Sequence, residues 1–259
     1  MIPKIVNSDN LSSRSVLVTG ATGGIGRAVA MELAAAGARL VIHGNRNPQK
    51  LDALLQDLES RNVDVRKIVA DLADSRERCR LTEETFRVME DWNVAVFAAG
   101  LDLMSAEIKQ KNFTEKLNLL MQVDVAGAIE PARQFAETLV KANRTGTIIL
   151  FGWDGVDHGM AGETATLYAL AKGALHAATR SLAKTYAPHV RVLCIAPGWI
   201  KTTWGKTVTE MTDQRVQEES LSGRWGTAEE VARLVRFLIS DDAAYINGQI
   251  IAINGGRGK

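Results

Sequence analysis

Short apolar runs alternate with stretches of helical periodicity along the chain. Val16-Leu17-Val18 is followed by a glycine-rich turn and then by Ala28, Val29, Leu33 and Ala34, whose spacing gives a helix one apolar face. Gly37 ends that helix, and Leu40-Val41-Ile42 supplies the next strand. Strand, glycine turn, helix and strand make one βαβ unit. The alternation continues with a helix over 48–61, a strand over 65–69, a strand over 94–96 and a long helical region over 114–142. A strand over 147–151, a helix carrying Tyr168 and a strand over 190–195 follow. Thr227, with Glu230 three residues later, reads as a capping box opening a further helix, and 248–253 is the closing strand.

The first turn carries the most chemistry. In Thr19-Gly20-Ala21-Thr22-Gly23-Gly24-Ile25-Gly26, the residues Gly20, Gly24 and Gly26 lack a Cβ. The backbone can therefore turn sharply, approach a pyrophosphate and aim free N–H groups of the next helix at it. This makes a candidate dinucleotide site. In such folds an acid at the end of the second strand bonds the adenosine ribose 2′-OH. Here the segment runs His43-Gly44-Asn45-Arg46, without an acid. Arg46, together with Arg27 just after the glycine turn, suits a 2′-phosphate, so NADP(H) is expected ahead of NAD(H). The other reading of Arg46 is the start of a solvated loop, and Lys50 is a weaker candidate for the phosphate.

Composition narrows the class. With 259 residues, 46% hydrophobic and 24% charged, the chain suits a single domain over 1–259. A net charge of +1, without basic runs, gives no field for nucleic acid or acidic membranes. Cys79 and Cys194 have no metal-ligand partner at suitable spacing, and the acids and histidine at Asp154, Asp157, His158 and Glu163 do not fall on one element. No metal is expected. Residues 1–14 are polar, and no window has the length and apolarity of a membrane span, which leads us to expect a cytoplasmic protein.

Tyr168-Ala169-Leu170-Ala171-Lys172 places a phenol and an ammonium on one helix face. Together with the Thr-Gly-x-x-x-Gly-x-Gly turn, Asp71, Ala99-Gly100, Pro197-Gly198, Thr202 and the closing strand, it resembles the short-chain dehydrogenase/reductase family over nearly the whole chain. The nearest branch is 3-oxoacyl-(acyl-carrier-protein) reductase. The resemblance implies a Rossmann fold: α/β, doubly wound, with a parallel sheet of about seven strands and helices on both faces. It implies that Tyr168 exchanges a proton with a ketone or secondary alcohol, acyl thioesters among the candidates, while hydride moves to or from the nicotinamide. Lys172 would lower the phenol pKa and anchor the ribose.

Further roles follow from the same resemblance. Thr19, Gly20, Gly24, Ile25 and Gly26 would form the pyrophosphate turn, and Asp71 and Leu72 would flank the adenine. Asp71 also reads as a helix cap. Ala99 and Gly100 would allow close approach to the cofactor, and the Pro197-Gly198 turn would bring the Ile200 backbone to the carboxamide and Thr202 near the pyrophosphate or the amide. Residues 203–224 would form a substrate lid, and the closing strand would pair subunits into a homodimer or homotetramer.

The chain also departs from the family pattern. Phe97 and Ala98 replace two amides, and Asp124 stands where the family has the Asn that holds a water and a bent helix. Asp124 would favour the neutral phenol. The usual Ser is missing: aligning the strand puts Gly152 or Trp153 in its place, counting back from Tyr168 puts Gly155 there, and Asp154 lies between. Trp153 is expected to pack at the strand end, line a pocket or offer its indole N–H in the hydroxyl's place, and Asp154 is a substitute only if protonated or turned away. The alternative to an active enzyme is a cofactor-binding protein with weak or no redox activity, serving as partner subunit, sensor or scaffold. Lyase or isomerase chemistry at Tyr168 has no positive feature.

Overall fold

Strand β1, Ser15–Thr19, is buried along its whole length. A strand covered on both faces reads as an unbroken apolar run, as a parallel sheet between helix layers requires. The computed structural model describes residues 10–202 and 210–256. The elements after β1 are α1 (Gly24–Ala35), β2 (Arg39–Gly44), α2 (Pro48–Ser60), β3 (Val65–Val69), α3 (Ser75–Val88), β4 (Val94–Phe97), α4 (Ala106–Lys109), α5 (Phe113–Leu120), α6 (Gly127–Lys141), β5 (Gly146–Phe151) and α7 (Glu163–Tyr186). The chain continues through β6 (Val190–Pro197), β7 (Ile200–Lys201), α8 (Glu210–Glu219), β8 (Gly226–Thr227), α9 (Ala228–Ile239) and β9 (Ile250–Ile253).

Among the described residues, seven strands form one parallel sheet in the order β3-β2-β1-β4-β5-β6-β9. One face packs Val16, Val18 and Ile42 against Leu33, Leu54 and Val235 of α1, α2 and α9. The other packs Leu17, Val41 and Leu150 against Leu81, Phe135 and Leu182 of α3, α6 and α7. The doubly wound α/β architecture expected from the sequence is therefore the one found. Thr227 and Glu230 make the expected capping box at α9.

Two elements differ from the sequence expectation. The long helix over 114–142 is divided by a π-helical turn, Met121–Ala126, between α5 and α6. Such a turn carries an extra residue per turn and re-aims its side chains, and here it directs Asp124 inward. The closing strand starts at Ile250, because Gly248 adopts a φ of +69°, outside the strand region.

The glycine turn folds tightly on itself. Gly20 sits at a φ of +65°, and a Cβ on Gly26 would lie 2.2 Å from the Gly20 carbonyl oxygen. Gly26→Ala must push the turn apart. It is expected to lower stability by about 1–3 kcal/mol, as overpacking does; wild-type urea stability in that variant would show that the turn yields at no cost.

Candidate active site

The chain leaves β1 for β2 and β3 on one side and returns to β4 on the other, which opens a crevice at the carboxyl ends of the strands. A cavity of about 320 Å³ occupies it. Gly20, Arg46, Asp71, Leu72, Ala99 and Gly100 line this cavity together, and Leu119 and Val123 close it from α5 and the π turn. Beside it, α1 begins at Gly23 with no side-chain cap and no acid in its first turn, leaving backbone N–H groups for an anion. Gly24, Ile25 and Gly26 form that turn. Thr202 packs onto Gly24, where a Cβ would lie 2.7 Å from the Thr202 Cβ. The Pro197-Gly198 turn is fixed by the Gly198 N–H donating to Ile253 at 3.1 Å, and Ile200 is buried behind it.

Other expected cofactor residues have structural engagements. Thr19 Oγ1 accepts the Ala99 N–H at 3.2 Å, tying the ends of β1 and β4 together. Arg27 is not among the residues lining the cavity and pairs with Asp57 of α2 at 3.1 Å. Asp71 accepts the Ala73 N–H, while the cap of α3 is Asp74, which accepts the Arg76 N–H. The helix-cap reading of Asp71 thus passes to its neighbour.

The catalytic candidates converge where α7 meets the loop after β4. The Tyr168 hydroxyl donates to the Leu101 carbonyl at 3.1 Å. One turn on, Lys172 Nζ lies 2.9 Å from Asp124 Oδ2, and Asp124 Oδ1 accepts the Leu101 N–H at 2.8 Å. Burial, then the charges of Asp124 and Asp102, push the Tyr168 phenol up to about 12, against an opposing backbone hydrogen bond from Leu103. The lowering expected from Lys172 is not among the causes of this shift, and the rise expected from Asp124 is. The Trp153 ring lies against Tyr168, with centroids 6.5 Å apart and planes tilted by 57°. It rests across Gly155, where a Cβ would meet the ring at 2.3 Å. Asp154 accepts a hydrogen bond from the Asn254 side chain at 3.1 Å.

A family model described as enoyl-(acyl carrier protein) reductase matches residues 20–257. The chain belongs to the short-chain dehydrogenase/reductase family of oxidoreductases. A tropinone reductase homolog of Arabidopsis thaliana is 32% identical, covering 95% of this chain and 93% of its own length. A 3-oxoacyl-(acyl-carrier-protein) reductase of Aquifex aeolicus is 30% identical over 95% of this chain and 98% of its own. The crystal structure of a short chain dehydrogenase from Burkholderia cenocepacia J2315 in complex with NADP matches the fold with a TM-score of 0.82, at 24% identity, over 94% of this chain and 97% of that one.

Within this short-chain dehydrogenase/reductase fold, two structural residues escaped the sequence reading. His43 is buried at the end of β2; its Nδ1 accepts the Gly20 N–H at 3.4 Å and its Nε2 donates to the Ala70 carbonyl at 3.0 Å. It latches the glycine turn to β3. The visible signal was a histidine closing an apolar strand, but the partners come from two other segments. Arg78 is buried at the side of α3, donating to the Leu72 carbonyl at 2.7 Å and pairing with Glu130 of α6. It holds a wall of the cavity.

The expected lid, 203–224, is described only in part. Residues 203–209, with Trp204 and Val208, lie outside the described residues. The remainder carries α8, where Glu219 accepts the Trp199 indole N–H at 2.9 Å and Asp213 that of Trp225 at 2.6 Å. Among the described residues no three His, Cys, Asp or Glu side chains are grouped to hold a metal, and no helix is long and apolar enough to cross a membrane.

Burial lowers the His43 pKa from 6.5 to about 4. The unfolded chain takes up the proton first as pH falls, so the stability contributed by neutral His43 is complete above about 6.5 and is lost progressively towards about 4. Between pH 7 and 5 this loss is about 2 kcal/mol. Urea unfolding of His43→Asn at both pH values is expected to show a correspondingly smaller acid loss than wild type; an equal loss would mean that His43 does not titrate on unfolding.

Proposed function

We propose that this protein is an NADP(H)-dependent oxidoreductase that interconverts a ketone and a secondary alcohol, of the kind a 3-oxoacyl thioester reductase carries out. The observation that carries the reading is the Tyr168 hydroxyl bonded to Leu101, the residue directly after the cavity-lining Gly100. Leu101 itself lines the cavity, so the hydroxyl we assign as proton donor is bonded to a residue of the crevice wall.

The residues present fit the cofactor. The crevice, the uncapped start of α1 and the close-packed glycines suit a pyrophosphate. Gly44 fills the place where an acid would select NAD(H); a Cβ there would meet Thr22 at 3.2 Å and Leu51 at 3.5 Å, while Arg46 lines the adjoining cavity. The Burkholderia cenocepacia structure of the same fold is described as a complex with NADP. Asp71 and Leu72 would flank the adenine, Ile200 and Thr202 the nicotinamide side, and Lys172 the ribose.

When bound, NADP(H) supplies or accepts the hydride at the substrate carbonyl carbon. Tyr168 gives its proton to the carbonyl oxygen in reduction and takes it back in the reverse direction. A phenol held near 12 is protonated at neutral pH, so the donor form is the one at hand. Trp153 forms the wall beside the phenol, at the place where the family's hydroxyl would orient the carbonyl. Loss of one such donor costs about 10² to 10³ in rate.

A second reading, cofactor binding with little or no redox activity, is favoured by that missing hydroxyl and by the engagement of Lys172 with Asp124. NADPH oxidation with β-ketoacyl thioesters and activated diketones separates the two, with cofactor affinities followed by fluorescence. The expected result is turnover that falls by at least about 10² in Tyr168→Phe, with NADPH bound more tightly than NADH and its affinity little changed by the substitution. Tight NADPH binding without turnover favours the second reading, and no cofactor binding overturns both.

We also propose a cytoplasmic homodimer or homotetramer. Among the described residues β9 pairs only with β6, and Phe237 and Tyr245 are exposed nearby in the chain. An open edge strand invites pairing with a second copy. Light scattering should give a mass of two or four chains; a monomer at micromolar concentration would exclude the assembly.

A further inference from the structure

We propose that Asp124 is a positioning residue of this site: it takes the Lys172 ammonium onto one carboxylate oxygen and the Leu101 backbone onto the other, and so reserves the Tyr168 hydroxyl as a proton donor. The inference deepens the oxidoreductase reading above and rests on it for its catalytic consequence.

The geometry forms one connected path. Asp124 is 1% exposed and Lys172 12%, so their 2.9 Å contact is shielded from water. The second Asp124 oxygen accepts the Leu101 N–H, and the carbonyl of the same Leu101 accepts the Tyr168 hydroxyl. A single peptide unit on either side of Leu101 therefore links carboxylate to phenol. Gly100 makes the approach possible, since a Cβ there would already lie 3.1 Å from Asp124 Oδ2. The inward direction of Asp124 comes from the π turn.

The charges around Tyr168 come from three elements. Asp124 faces it from the π turn, Asp102 from the loop after β4, and Lys172 follows on its own helix. The aromatic face of Trp153 covers another side. A neutral amide at 124 would leave the ammonium uncompensated and available to stabilise a phenolate; the carboxylate cancels it. The Leu101 carbonyl accepts the phenol proton but can offer nothing to a phenolate, so loss of the proton also loses that hydrogen bond and leaves the Leu103 backbone to favour the phenolate.

The consequence lies in the pH range of the reaction. In reduction the carbonyl carbon would take hydride from bound NADPH, which is left as NADP⁺, while the C=O π pair moves to the oxygen; that oxygen takes the Tyr168 proton as the phenol O–H bond breaks, and the phenolate is reprotonated from solvent. The donor form persists through neutral pH, so the reduction rate is flat there. Alcohol oxidation needs the phenolate as acceptor, and its rate rises with pH into the alkaline range. The equilibrium between ketone and alcohol is untouched by either.

The test is a ¹³C-tyrosine NMR titration of the whole protein, with Tyr168→Phe used to assign the Tyr168 signal. In wild type that signal is expected to stay at its protonated position beyond about pH 10, the ordinary tyrosine value. In Asp124→Asn the ionisation is expected at least about one pH unit lower, because a like charge is removed and the ammonium released. The pH profile of alcohol oxidation should move by the same amount, and Asp124→Glu should restore most of the wild-type titration. A wild-type phenol ionising below about pH 10, or the same midpoint in Asp124→Asn, would overturn the proposal. The wild-type arm decides the matter if Asp124→Asn does not fold. Since the titration needs no turnover, a protein with the expected titration and no activity would contradict the oxidoreductase reading and leave the positioning role standing.

Discussion

Strand β1 has a parallel partner on each side, and the rest of the structure depends on that double pairing. The chain leaves β1 towards β2 and returns to β4, so the loops that follow β1 and β4 diverge and a crevice opens between them. The backbones on its two sides are still close, since a Cβ at Gly20 would lie 2.6 Å from the Ala99 Cα. Thr19 adds a hydrogen bond across the same junction. A floor made of main chain rather than side chains would let a long, charged cofactor lie close to the sheet.

Around that floor, buried polar groups are settled by partners from distant segments. His43 joins the glycine turn to the end of β3, Arg78 joins Leu72 to α6, and Asp124 joins the loop after β4 to α7. Each engages a group that would otherwise be costly to bury, and each also fixes a wall of the crevice or the corner around Tyr168. The polar network thus gives the site its shape, while the two apolar layers give the sheet its stability.

Much of the fold was legible along the chain. The unbroken apolar runs of β1, β5 and β6, the helical stripes between them and the Thr227–Glu230 box are local signals, and they reappear at nearly the same boundaries. The glycine turn, Arg46, Asp71 and Ala99-Gly100 were legible as candidates because their residue types are restricted by backbone approach or by charge, and in the fold they line one cavity. Arg27 was read as a phosphate ligand by its place beside the turn; its pairing with Asp57 depends on how α1 and α2 pack, which no local pattern encodes.

Residue type and spacing alone account for the alternation of strands and helices, the absence of an acid after β2, the phenol and ammonium one helical turn apart, and the missing hydroxyl beside them. Packing between distant segments accounts for the π turn that breaks the long helix, for the engagement of Lys172 by Asp124, and for a phenol that is raised rather than lowered. The reason is physical: a side chain's charge acts through distance and burial, and both are set by segments far apart in the chain being brought together.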